Sequence, residues 1–321
     1  MRARTLGYAV AGSAAVLGAA VTSALRRQPE PWPSAPGELV EAGGEALHAL
    51  VRREGSGPTV VFESALSCPC TEWAWVLRAL DGATPSVAYD RPGNGWSSRN
   101  TSRVDAAEYA GLTRELLEAL DLPGPYLLVG HSVGGLLIRA FADRYPADTA
   151  GLVFVDSSHP EQLERSSLQR EGVSLVQQGI NGMCLRTRFR LLAEDDAGFG
   201  ALNGLPVDVA KASTGVMRRP EPWLAARHEF ALWNTRWAGA ARQAKIPRGL
   251  PVGVVTAGRQ ATTDLAHGRM QAELAGLSDV SRHEVVKGAE HDSLVMDGQL
   301  ARSVAEVVRW ALAAHREREV A

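Results

Sequence analysis

Short apolar runs and segments with helical periodicity alternate along most of the chain. The strand-like runs lie at residues 46–53, 59–63, 86–90, 125–129, 151–156, 251–256 and 281–286. Apolar side chains recur at helical spacing in the segments between and after them, at residues 72–80, 106–120, 133–144, 265–277 and 300–314. Nearly continuous apolar strands that alternate with helices are typical of a parallel sheet covered on both faces. The pattern therefore predicts an α/β fold with a mostly parallel sheet.

The alternation stops between residues 159 and 248, where the sequence has no convincing strand. We interpret this span as a helical cap inserted into a core that consists of residues 38–158 and 249–321. Helix-like pieces of the span contain Trp223, Trp233 and Trp237. A helical lid turns its apolar side toward the cavity below it, so these tryptophans are candidate pocket residues. His159 follows the strand at 151–156 and is a further candidate.

Residues 1–37 differ in composition from the rest. Residues 6–25 are apolar with arginines on both sides, and a proline-rich linker follows. A helix over this run would be about 30 Å long, enough to cross a bilayer core. Small residues near its end also suit cleavage of a signal peptide. We therefore expect a membrane-anchored or exported protein rather than a cytoplasmic one, and both the anchor and the cleaved signal remain open.

Composition narrows the classes of partner. The chain is 45% apolar and 22% charged with a net charge of −2, so it has the composition of a packed domain and no basic field for nucleic acid. A small, largely uncharged molecule is the expected ligand. Three cysteines, Cys68, Cys70 and Cys184, are too few for a disulfide scaffold and match no zinc-ligand spacing. One bridge from Cys184 to Cys68 or Cys70 remains open if the protein is exported.

The candidate nucleophile lies in a Gly-x-Ser-x-Gly sequence, Gly130-His131-Ser132-Val133-Gly134. It joins the strand at 125–129 to the helix at 133–144. A turn this sharp holds the serine in a strained conformation, and the flanking glycines relieve the clash. The hydroxyl of Ser132 then lies at a helix N-terminus, with the Val133 amide directed at a developing oxyanion.

Four segments together resemble the α/β-hydrolase family, and the resemblance covers nearly everything after residue 39. They are residues 90–97 (DRPGNGWS), 130–135 (GHSVGG), 152–156 (LVFVD) and 288–291 (GAEH). The family places its triad in the order serine, acid, histidine. His291 is therefore the candidate general base, since it follows the last strand. The resemblance also implies the Leu66 amide as second oxyanion donor, although this chain has Ser64-Ala65 where related chains usually carry a glycine.

Two aspartates are candidates for the acid that orients the histidine. Asp156 closes the strand at 151–156, where some lipases and haloalkane dehalogenases of this fold carry their acid. Many other members carry it after the next strand, where this chain has Ala261, with Asp264 three residues further on. We prefer Asp156 and keep Asp264 as the alternative.

The other titratable residues near these segments are interpreted as structural. Glu63 and Glu290 are expected to form salt bridges, and the side chain of His131 is expected to point away from Ser132. The histidines with no placement near the site are interpreted as surface or core residues: His48, His228, His267, His283 and His315.

These residues predict a serine esterase or lipase-like enzyme. It would cleave carboxylic esters or lactones of small, largely apolar molecules through an acyl-enzyme, without metal or cofactor. A cofactor-free haloperoxidase or an acyltransferase would use the same triad, and a non-catalytic binding protein of this fold is a further alternative. Epoxide hydrolases and haloalkane dehalogenases require a carboxylate at the position of Ser132.

Overall fold

A computed structural model of the protein describes residues 32–100, 102–192 and 197–320. The predictions for the apolar run at residues 6–25 lie outside these ranges. Within the ranges, no helix combines the length and the hydropathy that a bilayer crossing requires. Cys68, Cys70 and Cys184 are free thiols, so the structure does not contain the bridge that the sequence left open.

Eight strands form one mixed sheet in the order β1-β2-β4-β3-β5-β6-β7-β8. The strands are β1 (Glu38–Ala42), β2 (Glu45–Arg52), β3 (Thr59–Glu63), β4 (Ser86–Tyr89), β5 (Tyr126–His131), β6 (Thr149–Val155), β7 (Val252–Ala257) and β8 (Ser281–Val286). The pairs β1–β2 and β2–β4 are antiparallel, and the remaining pairs are parallel. This confirms the predicted mostly parallel sheet and adds β1 to its edge.

The helices surround this sheet and fill the long connection between β6 and β7. The α-helices are α1 (Ala74–Leu80), α2 (Ala106–Ala119), α3 (Gly134–Arg144), α4 (Gln162–Arg165), α5 (Ser167–Arg188), α6 (Val207–Met217), α7 (Pro220–Leu232), α8 (Ala238–Gln243), α9 (Gly258–Thr263), α10 (Leu265–Ala275), α11 (Ser293–Met296) and α12 (Ala301–Val320). Segments of 3₁₀-helix lie at Cys70–Trp73, Pro146–Asp148 and Ala197–Gly204, and Trp233–Trp237 is a π-helical turn.

Alternating strand residues build a core on each face of the sheet, because successive side chains of a strand point to opposite faces. In β6, Val153 and Val155 pack with side chains of α1 and α12. Leu152 and Phe154 pack with those of α2, α3 and α10 on the other face. All seven residues of β6 are buried, as expected for a central strand covered on both sides.

The candidate site lies at the carboxyl ends of the parallel strands. Ser132 follows β5 directly, Asp156 follows β6, and His291 lies in the loop between β8 and α11. Helices α4 to α8 lie between β6 and β7, and the described part of this connection contains no strand. The crevice beyond the carboxyl ends of such strands is where open α/β sheets bind ligands.

Candidate active site

The turn at Ser132 holds the serine in a left-handed conformation, with a φ of +54°. Two backbone hydrogen bonds fix this conformation: the Ser132 amide donates to the Val155 carbonyl at 3.1 Å, and the Ser158 amide donates to the Ser132 carbonyl at 2.8 Å. Helix α3 begins two residues later. A non-glycine residue at positive φ is strained and persists only where its surroundings hold it. The hydroxyl is thereby fixed at the edge of the sheet.

Both glycines of the turn occupy positions where a side chain does not fit. A Cβ on Gly130 would lie 2.6 Å from the carbonyl carbon of Gly134, and one on Gly134 would lie 2.4 Å from the Glu63 carbonyl oxygen. These separations are far shorter than van der Waals contact. The Gly-x-Ser-x-Gly spacing therefore permits the close approach of β5, α3 and the end of β3.

The structure brings Asp156 and His291 together. His291 Nδ1 lies 2.7 Å from Asp156 Oδ2, which leaves Nε2 as the nitrogen available to Ser132. The carboxylate is buried and accepts two further hydrogen bonds at Oδ1, from the Ala257 amide and from His267 Nε2, both at 2.9 Å. Three donors thus fix the plane of the Asp156 carboxylate.

The structure does not bring Asp264 to His291. Asp264 caps the N-terminus of α10 and accepts from the amides of Ala266 and His267. Its other oxygen accepts from Ser166 Oγ at 2.6 Å and from Gln169 Nε2 at 3.2 Å. The geometry therefore supports Asp156 as the orienting acid, and Asp264 acts as a helix cap that contacts the segment after β6.

The paired charges shift the pKa values of both members of this pair. Burial lowers the pKa of His291, but the hydrogen bond and the charge of Asp156 act more strongly and raise it to about 9. Burial raises the pKa of Asp156, yet hydrogen bonds from His267 and His291 outweigh it and hold that pKa well below its ordinary value. The pair therefore favours a carboxylate next to an imidazolium.

One cavity of about 560 Å³ connects Ser132, Asp156 and His291. Its wall beside the sheet includes Leu66 and Val133. The Ala65 amide is occupied, because it donates to Glu72 Oε1 at 2.9 Å. The amides of Leu66 and Val133 have no hydrogen-bond partner in the described part of the chain. These two donors are thus free for a ligand oxygen.

Of the four predicted pocket residues, only Trp233 lines the cavity. Its Nε1 donates to Ser158 Oγ at 3.0 Å. The prediction is wrong for the other three. Trp223 is buried in the cap and donates to the Met217 carbonyl, and Trp237 packs on Tyr109 and donates to the Val104 carbonyl.

His159 likewise does not line the cavity, and its ring nitrogens contact Glu273 and the Glu161 amide. Besides Trp233, the cap contributes four further apolar side chains to the wall: Val173, Val176, Ile180 and Phe230. Helix α5 thus supplies three of these four residues, none of which the sequence analysis selected.

A buried ion pair joins the cap to the loop that carries Leu66. Arg91 Nε and Nη2 each donate to Glu229 of α7 at 2.8 Å, and both residues are at most 2% exposed. The same guanidinium donates to the carbonyls of Ser64 and Ala65, at 2.7 and 3.1 Å. It also forms the expected salt bridge with Glu63, at 3.4 Å. Arg91 therefore couples the position of the cap to the shape of the oxyanion loop.

Two further histidines, His131 and His267, lie near the site. His131 is buried and does not line the cavity; its ring packs against that of His291 at a tilt of 35°, with 4.7 Å between centroids. His267 was interpreted as a surface or core residue, but it lines the cavity and contacts Asp156. No local sequence pattern marks His267, because its contact depends on how α10 packs against the end of β6.

Two groups of three potential ligand side chains occur among the described residues. His48, Cys70 and Asp90 are buried, and their polar atoms already bond one another and the surrounding backbone. In the second group, the rings of His131 and His291 are tilted by 35° to each other, with Asp292 close by. One nitrogen of each ring already contacts a carboxylate, His131 Nδ1 that of Glu72 and His291 Nδ1 that of Asp156.

Comparison with known proteins agrees with this architecture. A family model described as the alpha/beta hydrolase fold matches residues 70–295. An uncharacterized protein of Schizosaccharomyces pombe is 26% identical over 228 residues, which cover 68% of this chain and 40% of that protein. The chain spans less than half the length of the curated relatives it matches.

Two solved structures share the fold at low sequence identity. An enol-lactonase from Burkholderia xenovorans has a TM-score of 0.60 and 18% identity, and the match covers 86% of this chain and 100% of that one. A thermophilic esterase from Thermogutta terrifontis has a TM-score of 0.61 and 18% identity, with 88% and 100% covered. At this identity the similarity establishes the fold alone.

Proposed function

The chain belongs to the alpha/beta hydrolase fold family, and we propose that it hydrolyses carboxylic esters or lactones of small, largely apolar molecules with Ser132 as nucleophile. One observation carries the proposal. A single cavity is lined by Ser132, by His291 and by Leu66 and Val133, whose amides have no hydrogen-bond partner among the described residues. Asp156 orients His291 through the hydrogen bond at Nδ1.

The proposed reaction has two steps, acylation of Ser132 and hydrolysis of the acyl-enzyme, and the same groups act in both. Ser132 Oγ attacks the carbonyl carbon while His291 Nε2 takes its proton, because a neutral hydroxyl is a poor nucleophile. The negative oxygen of the tetrahedral intermediate accepts hydrogen bonds from the amides of Leu66 and Val133. His291 then protonates the leaving alkoxide. Water repeats the sequence on the acyl-enzyme and releases the acid.

The lining of the cavity supports a neutral, apolar substrate. The cap contributes aliphatic and aromatic side chains, and three glutamines contribute neutral polar groups: Gln162, Gln169 and Gln260. No lysine or arginine occurs among the described residues that line this cavity. A substrate carboxylate or phosphate would therefore meet Asp156 and Asp292 without a lysine or arginine to pair with, since the imidazolium of His291 is already paired with Asp156. An enol-lactonase and an esterase share this fold, which is in keeping with an ester or lactone as the proposed substrate class.

Covalent labelling tests the proposal directly. A fluorophosphonate probe is expected to label the full-length protein and to label Ser132→Ala not at all, because the probe reports a serine activated by its histidine. A panel of neutral esters and lactones graded by acyl length would then identify the substrate. Absence of labelling in the folded protein would overturn the proposal and favour a non-catalytic binding protein. Labelling without hydrolysis of any panel member would favour an acyltransferase or a haloperoxidase.

The pKa of His291 predicts an alkaline pH profile. Only the neutral imidazole accepts the proton of Ser132, and the pKa of His291 is raised to about 9. Below that pH the imidazolium predominates, so kcat/KM for a neutral ester is expected to fall about tenfold for each pH unit by which the pH is lowered. Initial rates across the pH range check this, with Ser132→Ala as the blank for spontaneous hydrolysis. An acid limb centred at or below 6.5, the ordinary histidine value, would contradict the expectation.

A further inference from the structure

Asp156 has a second histidine partner. His267 Nε2 lies 2.9 Å from Asp156 Oδ1, and His291 Nδ1 lies 2.7 Å from Asp156 Oδ2, so each histidine faces one oxygen of the carboxylate. The side chain of His267 is 6% exposed, so bulk water does not compete for this contact. The mechanism proposed above assigns His267 no role. Its position next to the carboxylate nevertheless allows it to affect His291 through Asp156.

A glutamine from the cap determines which nitrogen of His267 carries the proton. Gln169 of α5 lies with Nε2 3.2 Å from His267 Nδ1 and 3.2 Å from Asp264 Oδ2. A carboxylate accepts hydrogen bonds only, so the amide must present its NH₂ group to this side. The same NH₂ group donates to His267 Nδ1, which makes Nδ1 the acceptor. His267 Nε2 therefore carries the hydrogen and donates it to Asp156.

We infer that His267 is a positioning residue, which holds the Asp156 carboxylate in the plane that His291 requires, and that Gln169 couples this role to the placement of the cap. The inference rests on the proposed hydrolysis at Ser132 for its kinetic consequence, but the hydrogen-bond chain itself does not. A cap that moves α5 away from α10 would release Gln169, then His267, and would loosen the carboxylate. The hydrogen-bond chain consists of Gln169, His267 and Asp156.

Loss of the His267 side chain is expected to raise the pKa of His291. Without its donor, Asp156 Oδ1 keeps only the Ala257 amide, so the carboxylate is less stabilised and holds the proton of His291 more tightly. The charged and titratable groups that also face His291 are Asp292 in its own loop, Glu72 from the Cys70–Trp73 segment, and His131 at the end of β5. None of them contacts His267, and they remain unchanged in His267 variants.

The experiment compares His267→Leu with His267→Gln in the full-length protein. His267→Leu is expected to lower kcat about tenfold, the scale of one hydrogen bond to a charged group. It should also move the acid limb and the NMR-detected titration of His291 to higher pH. In His267→Gln the amide can still donate to Asp156. This variant should therefore restore most of the lost kcat and bring the acid limb and the His291 titration back toward their wild-type pH. Gln169→Leu should shift both readouts in the same direction by a smaller amount.

His283→Leu is the matched control, since His283 also bonds a neighbouring strand residue, Thr256 Oγ1, but has no contact with Asp156. It should leave kcat and the His291 titration unchanged. An unchanged His291 titration in both His267→Leu and Gln169→Leu would overturn the inference and leave the hydrolase proposal intact. If the wild-type protein hydrolyses no ester, the proposed function fails, and the NMR titration still decides the role of His267.

Discussion

Replacing Asp156 with asparagine is expected to lower kcat for ester hydrolysis about ten-thousandfold, the scale seen when a triad histidine is held in the wrong tautomer. The hydrogen bonds around the carboxylate determine how the side-chain amide of the asparagine would be oriented. Oδ1 accepts from both the Ala257 amide and His267, so the amide oxygen of the asparagine must occupy that side. Its NH₂ group then faces His291 Nδ1, which becomes an acceptor. The proton of His291 moves to Nε2, where a base is needed.

Steady-state kinetics of Asp156→Asn and Asp264→Asn check this prediction as a matched pair. Asp264 bonds Ser166, Gln169 and the first amides of α10, and asparagine caps a helix about as well as aspartate. We therefore expect Asp264→Asn to keep kcat within a few-fold of the wild-type value. The opposite result, with activity lost in Asp264→Asn and retained in Asp156→Asn, would make Asp264 the acid.

The central strands could be predicted because burial on both faces leaves a strong sequence signal. Every residue of β5 and β6 is buried, and their apolar runs stand out against the loops around them. The edge strand β1 has no such signal. Its residues alternate between half-exposed and exposed up to Ala42, and Leu39 is 60% exposed. It is held by pairing with β2 and by contacts of Val40 and Ala42 with the core, and that kind of stability depends on its neighbours rather than on its own composition.

The parts of the site that local sequence encodes were the ones that could be predicted. The turn at Ser132 needs its two glycines, and His291 follows a recognisable strand. The cavity wall was harder to predict. Trp223, a candidate pocket residue, lies on α7, which buries side chains around much of its circumference. Such a helix does not reveal from its sequence which side faces the ligand. His267 could not be predicted either, since only the packed fold brings its ring to Asp156.

The ion pair between Arg91 and Glu229 predicts a large effect on stability. Glu229→Gln keeps the shape of the side chain but removes its charge, and the buried guanidinium is then left with Glu63 at 3.4 Å as its remaining carboxylate. Breaking a buried pair from one side typically destabilises a protein by about 3–5 kcal/mol. We expect a loss of that size in the free energy of unfolding. Urea denaturation, followed by tryptophan fluorescence and by circular dichroism, measures it.

An exposed ion pair between the cap and the core provides the control. Arg236 in the π-helical turn bonds Asp105 at 2.8 Å, and both side chains are more than half exposed. Arg236→Gln should therefore cost no more than about 1 kcal/mol, because solvent screens such pairs. Glu229→Gln should in addition lower kcat, since the same guanidinium holds the carbonyls of Ser64 and Ala65 beside the Leu66 amide. Equal effects of the two variants on stability would show that the buried pair of Arg91 and Glu229 stabilises the fold no more than an exposed pair does.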